Sequence, residues 1–148
     1  MAKFATITVQ KLSDFNKFAT EAAFSGITTA LASNGASTAS YGACFEMSER
    51  DEKYLILVQN VAVSGDDKTV TIKAGNGIQG VCDVAKADLG YGEYTFIAIE
   101  SGRFKNVKPN DTLKALSSAT SSDQIEAKGK VFITGTDANI KVAVFCLP

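Results

Sequence analysis

The chain has 148 residues, 45% of them hydrophobic, with Lys+Arg 15 against Asp+Glu 16, a formal net charge of -1, 12 Gly and only 2 Pro. That is one domain, long enough to bury roughly two thirds or more of its unfolded surface without disulfides or metal. His and Trp are absent, which removes the usual general base near neutral pH, the commonest zinc ligand, the His-containing triads and the best sugar-stacking side chain; the balanced charge argues against a broad phosphate-binding face.

The amino terminus carries Lys3 but no uninterrupted apolar run, and no window approaches the length that crosses a bilayer, so the chain is expected to start in the cytosol and to contact no membrane. Thr6-Ile7-Thr8-Val9 alternates and predicts a short strand. A helix follows, capped by Ser13 or Asp14, with Phe15, Phe18, Ala19 and Ala22 at i, i+3, i+4 and i+7 on one stripe. That stripe packs on its own domain or docks on a neighbouring subunit. Ser33 to Ser40 is small and polar, a loop or hinge. Residues 1–40 therefore form an N-terminal strand-helix arm, and 41–148 the main domain.

From Tyr41 the pattern becomes short β-runs separated by turn chemistry. Strands are predicted at Ala43 to Met47, Tyr54 to Asn60, Thr69 to Ala74, Tyr94 to Glu100, Val131 to Thr134 and Lys141 to Leu147, with a charged hairpin tip at 48–53 and a turn at 64–68. Thr69 to Ala74 alternates strictly, as a strand wet on one face does, whereas Tyr54 to Val58 is apolar almost throughout, as a central strand is. An insertion lies at about 105–128, with the Ser-rich stretch 117–122 as its tip. The fold class is mainly β: an antiparallel β-sandwich or partly closed barrel of jelly-roll or Ig-like type.

Three groups of residues suggest chemistry, and each has a plainer reading. Gly75-Asn76-Gly77-Ile78-Gln79-Gly80 is a literal G-x-G-x-x-G, with Glu100 about 20 residues on, where a dinucleotide fold places its ribose acid. A Rossmann unit needs a buried parallel strand before the glycines and a full helix after them. The preceding strand carries Thr69, Thr71 and Lys73, and Val81 to Leu89 is only nine residues, about two and a half helical turns. Turn or bulge glycines between antiparallel strands, at positive φ, are the expectation. Asp66-Asp67, Asp83 with Asp88, and Glu49, Asp51 and Glu52 offer paired carboxylates without calcium-loop spacing, and are read as solvated turn charges. Among Tyr41, Tyr54, Tyr91 and Tyr94, the last two flank a turn and are the best candidates for stacking on a sugar ring, while packing of their rings over the neighbouring glycines explains them equally well. Cys44, Cys82 and Cys146 show no C-x-x-C spacing and are expected as small buried hydrophobes. No cofactor, metal, nucleic acid or catalytic activity is expected.

The order Leu55-Ile56-Leu57-Val58-Gln59-Asn60, Lys68-Thr69-Val70-Thr71-Ile72-Lys73-Ala74-Gly75, Phe96 to Lys105 with Glu100-Ser101-Gly102-Arg103-Phe104, Gly129-Lys130-Val131-Phe132-Ile133-Thr134 and the closing Ile140 to Pro148 resembles the small β-rich head proteins of tailed bacteriophages that decorate or cement the capsid. The likeness spans roughly residues 54–148; the arm lies outside it, and Val107 to Lys128 departs from it. The resemblance implies a noncatalytic virion protein, made in the bacterial cytoplasm, that binds the outer face of the major capsid protein lattice as a homo-oligomer, trimer or dimer. Phe15 and Phe18 on the arm helix, and Arg103 with Phe104 after a core strand, are the interface candidates. The plainer readings are an Arg103–Glu100 ion pair and a core role for Phe104. A carbohydrate-binding or adhesin-like sandwich is the alternative function.

Overall fold

A computed structural model of the chain describes residues 4–12, 24–27, 29–31, 40–48, 54–109 and 127–148. Phe15 and Phe18, most of the 33–40 stretch, the tip of the 48–53 hairpin and the body of the insertion lie outside the described residues. The strands are β1 (Ala5–Thr6), β2 (Val9–Lys11), β3 (Ser25–Gly26), β4 (Thr29–Leu31), β5 (Ser40–Glu46), β6 (Tyr54–Asn60), β7 (Lys68–Ile72), β8 (Val84–Leu89), β9 (Tyr94–Ile99), β10 (Lys130–Gly135) and β11 (Ile140–Cys146), with one helical turn, α1 (Ser101–Phe104).

They form two sheets packed face to face, an unclosed β-sandwich. One runs β1-β5-β10-β7-β8 with β4 also on β5; the other runs β2-β11-β6-β9 with β3 also on β11. Most pairings are antiparallel, as expected. The first two strands are the difference: β1 lies parallel to β5 and β2 parallel to β11, so both sheets are mixed. The chain crosses between sheets at Ile7, and crosses back at Ile27; both side chains are buried in the core. The segment read as an arm thus supplies strands to both sheets along one seam of the sandwich. On the other seam β8 and β9 are the terminal strands of their sheets.

Period-2 alternation puts Phe45, Met47, Ile56, Val58, Val70, Ile72, Val131, Ile133, Val142 and Val144 into the shared core. A second, smaller cluster forms on the other face of the first sheet, where Phe4 meets Phe132 edge-on with ring centroids 4.8 Å apart, beside Cys44 and Ala127. Burial there pushes the Cys44 thiol above its ordinary pKa, partly opposed by Lys130 and a Thr6 hydrogen bond. Among the described residues every buried side-chain nitrogen and oxygen has a hydrogen-bond partner.

The β10–β11 turn is held by Asp137, whose carboxylate accepts the Asn139 amide at 2.7 Å and faces the Lys68 ammonium at 3.2 Å. The Asn139 amide, against a small burial cost and with help from Lys68, holds the Asp137 carboxyl below its ordinary pKa. A lowered folded-state pKa gives stability that is complete above the unfolded value and is lost as pH falls through the folded one. Urea midpoints are therefore expected to drop on acidification below about pH 4, and Asp137→Asn to flatten that part of the profile by a small amount, since the half-buried pair still reaches solvent, which screens it.

Candidate interaction surface

The G-x-G-x-x-G segment joins β7 to β8, which pair antiparallel, and a strand rather than a helix follows it. The phosphate-cradling geometry of a dinucleotide site is therefore not built here. The expected reason for the glycines also changes. Positive φ occurs at Gly65, Gly92 and Gly129, not at Gly75, Gly77 or Gly80. Close approach is what requires two of them: a Cβ on Gly80 would collide with the Gly75 carbonyl oxygen, and one on Gly75 would lie 2.5 Å from the Lys105 carbonyl oxygen, whereas one on Gly77 would make only ordinary contacts with Val107.

The loop folds onto the segment after α1. The Gly75 amide donates to the Arg103 carbonyl at 2.9 Å. Asn76 works from both ends of its side chain: its Oδ1 accepts the Val107 amide at 2.9 Å, and its Nδ2 donates to the Lys108 carbonyl at 2.8 Å. Beyond the glycines, Asp83 accepts the Ala74 amide at 2.7 Å and pairs with Lys73, which closes the base of the connection. Paired in this way, Asp83 has a structural task, and Asp88 sits apart from it in β8 with φ 57°. Among the described residues no three His, Cys, Asp or Glu side chains are placed to hold a metal ion.

This tied-down end of the sandwich presents apolar side chains to solvent. Ile78 and Val81 are almost wholly exposed and Val107 more than half so. Gly77 sits against the Val107 side chain, which brings its neighbour Ile78 close to Val107, and Val81 follows in the same connection. Arg103 lies within the same end: its Nη2 donates to Cys82 Sγ at 3.3 Å, and its guanidinium carbon is 5.6 Å from the Phe104 ring centre. An ion pair with Glu100 is not what anchors it. Beside it an open cleft of about 460 Å³ is lined by Val84, Ile97, Ala98, Ile99, Glu100, Arg103 and Phe104, between the terminal strands β8 and β9.

Of the four interface candidates, Phe15 and Phe18 lie outside the described residues, and Phe104, 4% exposed, is part of the core. Arg103 alone is both described and accessible. Cys44 and Cys146 are buried, but Cys82 is exposed, a correction to the expectation that all three pack inside. It lies in the β7–β8 connection, where its apolar neighbour Val81 faces water too. Tyr54 is a core residue and Tyr41 packs against the core, whereas Tyr91 and Tyr94 are exposed, Tyr94 at 71%. Next to Tyr94 along the same face of β9 comes Phe96, 68% exposed. Neither Phe96 nor the Ile78–Val81–Val107 group stands out in the sequence, where each looks like ordinary core material.

No family model matches the chain, and no curated protein or solved structure is significantly similar to it. Among the described residues no helix is long and apolar enough to cross a membrane.

Proposed function

We propose that the protein is a noncatalytic component of a tailed-phage virion, a decoration protein that binds the outer surface of the major capsid protein lattice and stabilises the expanded head. The observation that carries this reading is the rigid apolar end of the sandwich. Ile78 and Val81 are exposed on the β7–β8 connection and Val107 on the segment after α1, the two being fixed together by backbone and Asn76 hydrogen bonds, with Arg103 beside them. Exposed apolar anchors on a pre-ordered frame are what a docking surface needs, because little conformational entropy is lost when they are covered. The resemblance to phage head proteins supports the same reading, since its segments are β6, β7, β9 with α1, β10 and β11. Phe15 and Phe18 remain sequence-based contacts within this proposal, as does assembly as a dimer or trimer on the capsid exterior after synthesis in the host cytoplasm.

Such a protein acts by linkage. A ligand that binds the expanded shell and not its looser precursor stabilises each occupied site by about 2.7 kcal/mol when its free concentration is 100 times the dissociation constant. Repeated over a lattice, that term resists internal DNA pressure.

Cosedimentation with undecorated expanded heads, and with unexpanded proheads as control, tests the proposal. Saturable binding to expanded heads alone is expected, at a fixed copy number per capsomer. The double substitution Ile78→Asp with Val81→Asp is expected to weaken it at least about tenfold, as loss of interface anchors does, while leaving the urea midpoint unchanged. Absence of binding to either form of the head would overturn the reading.

The exposed Tyr91 and Tyr94 favour a second reading, a carbohydrate-binding module. Glycan binding that Tyr91→Ala and Tyr94→Ala both abolish would establish it in place of capsid docking.

A further inference from the structure

The two terminal strands at the open seam are built differently. β8 carries Lys86 and Asp88, the latter at φ 57°, and its pairing with β7 shifts register between Lys68 and Val70. Charges, strained backbone and irregular register are the devices by which sheet edges avoid pairing with other chains. β9 has none of them. Its sequence, Tyr94-Thr95-Phe96-Ile97-Ala98-Ile99, contains no charge, no proline and no glycine, and its register with β6 runs unbroken from Tyr94 opposite Gln59 to Ile99 opposite Tyr54. Among the described strands it is paired on one side only.

The orientation of its backbone groups follows from the ladder. The Asn60 amide donates toward β9, to the Glu93 carbonyl at 3.0 Å, while the Val61 amide donates the other way, to Asn139. Alternation then turns the N–H and C=O groups of Thr95, Ile97 and Ile99 toward β6, and those of Tyr94, Phe96 and Ala98 away from it. The outward-turned residues are also the ones whose side chains stand exposed on the outer face, next to Leu55 and Leu57 of β6.

From these observations we propose that β9 is a self-association edge, and that a second copy of this chain pairs with it antiparallel about a twofold axis through Phe96. That register is the one that suits both backbone and side chains. It sets Phe96 opposite Phe96 of the second copy, Tyr94 opposite Ala98 and Thr95 opposite Ile97. Every outward group meets an outward group, the large ring of Tyr94 lies beside a small alanine, and no like charges are apposed. It also sets Glu93 of the second copy opposite Ile99, on the cleft side of the strand. There Arg103 and Glu100 both line the wall, and Arg103, with no carboxylate bound to it among the described residues, is the group for the Glu93 carboxylate, whose Oε2 accepts the Gly90 amide of its own turn at 3.0 Å. This charge complementarity distinguishes a second copy from an arbitrary extended peptide. The proposal does not depend on what the Ile78–Val81–Val107 end binds.

Edge pairing of one strand covers less surface than a standard interface, so the dimer is expected to be weak and concentration-dependent. Sedimentation equilibrium of the full chain, from roughly 1 µM to 1 mM to span weak affinities, is the test. A monomer–dimer equilibrium is expected for the wild type. Ala98→Pro removes an N–H that no described strand uses, a change that edge strands tolerate; Phe96→Lys places charge against charge at the axis. Each is expected to raise the dissociation constant at least tenfold with an unchanged urea midpoint, whereas Thr8→Lys, at an exposed position between β1 and β2 on the opposite seam, leaves it unaltered. If proline proves disruptive to folding, the lysine variant decides by itself. A wild type that stays monomeric throughout, a trimer, or a dimer that both β9 variants retain would each overturn the proposal.

Discussion

Phe45→Ala is expected to destabilise the protein by about 3–5 kcal/mol, the range for truncating a buried aromatic side chain. Phe45 is 0% exposed, sits opposite Val131 in the β5–β10 ladder, and has its ring 6.1 Å from that of Tyr54 in the facing sheet. Its removal leaves a cavity between the two sheets that neither can close, because each is held by its own hydrogen-bond ladder. Against a typical total of about 5–15 kcal/mol for a domain, this is a large fraction. The matched control is Phe96→Ala, the same truncation on an exposed outer face, expected to change stability by about 0.5 kcal/mol or less. Equilibrium urea unfolding of both variants checks the pair; equal losses would mean that the face of β9 bearing Phe96 is covered.

Asn60→Ala is expected to cost about 1–3 kcal/mol, the cost of leaving a buried polar group without its partner. Asn60 is fully buried at the end of β6, where its Nδ2 donates to the Leu89 carbonyl at 3.0 Å and its Oδ1 accepts the Ala62 amide at 3.0 Å. Its backbone joins the same junction, through the Glu93 carbonyl and the Gly92 amide. One side chain therefore ties the end of β8, the 90–93 turn and the exit of β6 together. Asn60→Asp tests the donor separately. It keeps an acceptor for Ala62 but abolishes the donor to Leu89, and is expected to lose at least as much stability at neutral pH, where the new carboxylate faces a carbonyl oxygen. Hydrogen exchange at Gly92 should speed up in both variants.

The strands that carry strong local patterns are legible from the sequence. Tyr54 to Asn60 is found with the expected ends, and the strands read at 43–47, 69–74, 94–100, 131–134 and 141–147 are found within a few residues of them. Each has an apolar repeat bounded by Gly, Asp, Asn or Ser, and both signals are short-range. β8 was not legible. Val-Ala-Lys-Ala-Asp-Leu has weak β propensity, and it becomes a strand because β7 offers it a partner. β3 and β4 are likewise strands by virtue of what they pair with, β11 and β5.

The candidate surface shows the same division. Arg103 is identifiable as a residue of interest at a strand end, but whether its neighbour Phe104 faces out or in depends on the single turn of α1, closed by the Lys105 amide on the Ser101 carbonyl at 2.9 Å. The glycines of the β7–β8 connection match a nucleotide-binding pattern in letters alone. What Gly75 and Gly80 accommodate, the backbone of residues 104–105 and of Gly75 itself, exists only once the loop has folded back.

By itself, then, the sequence determined the class of the fold, the core strands and the lack of imidazole and indole chemistry, because composition and period-2 alternation act within a few residues. Tertiary structure decided the rest: the parallel entry of β1 and β2, the sheet crossings at Ile7 and Ile27, and the exposure of Ile78, Val81, Val107 and Phe96. These depend on which segments distant in the chain come to lie side by side. An apolar residue is buried only if some other part of the chain arrives to cover it, and nothing in its local sequence records whether that happens.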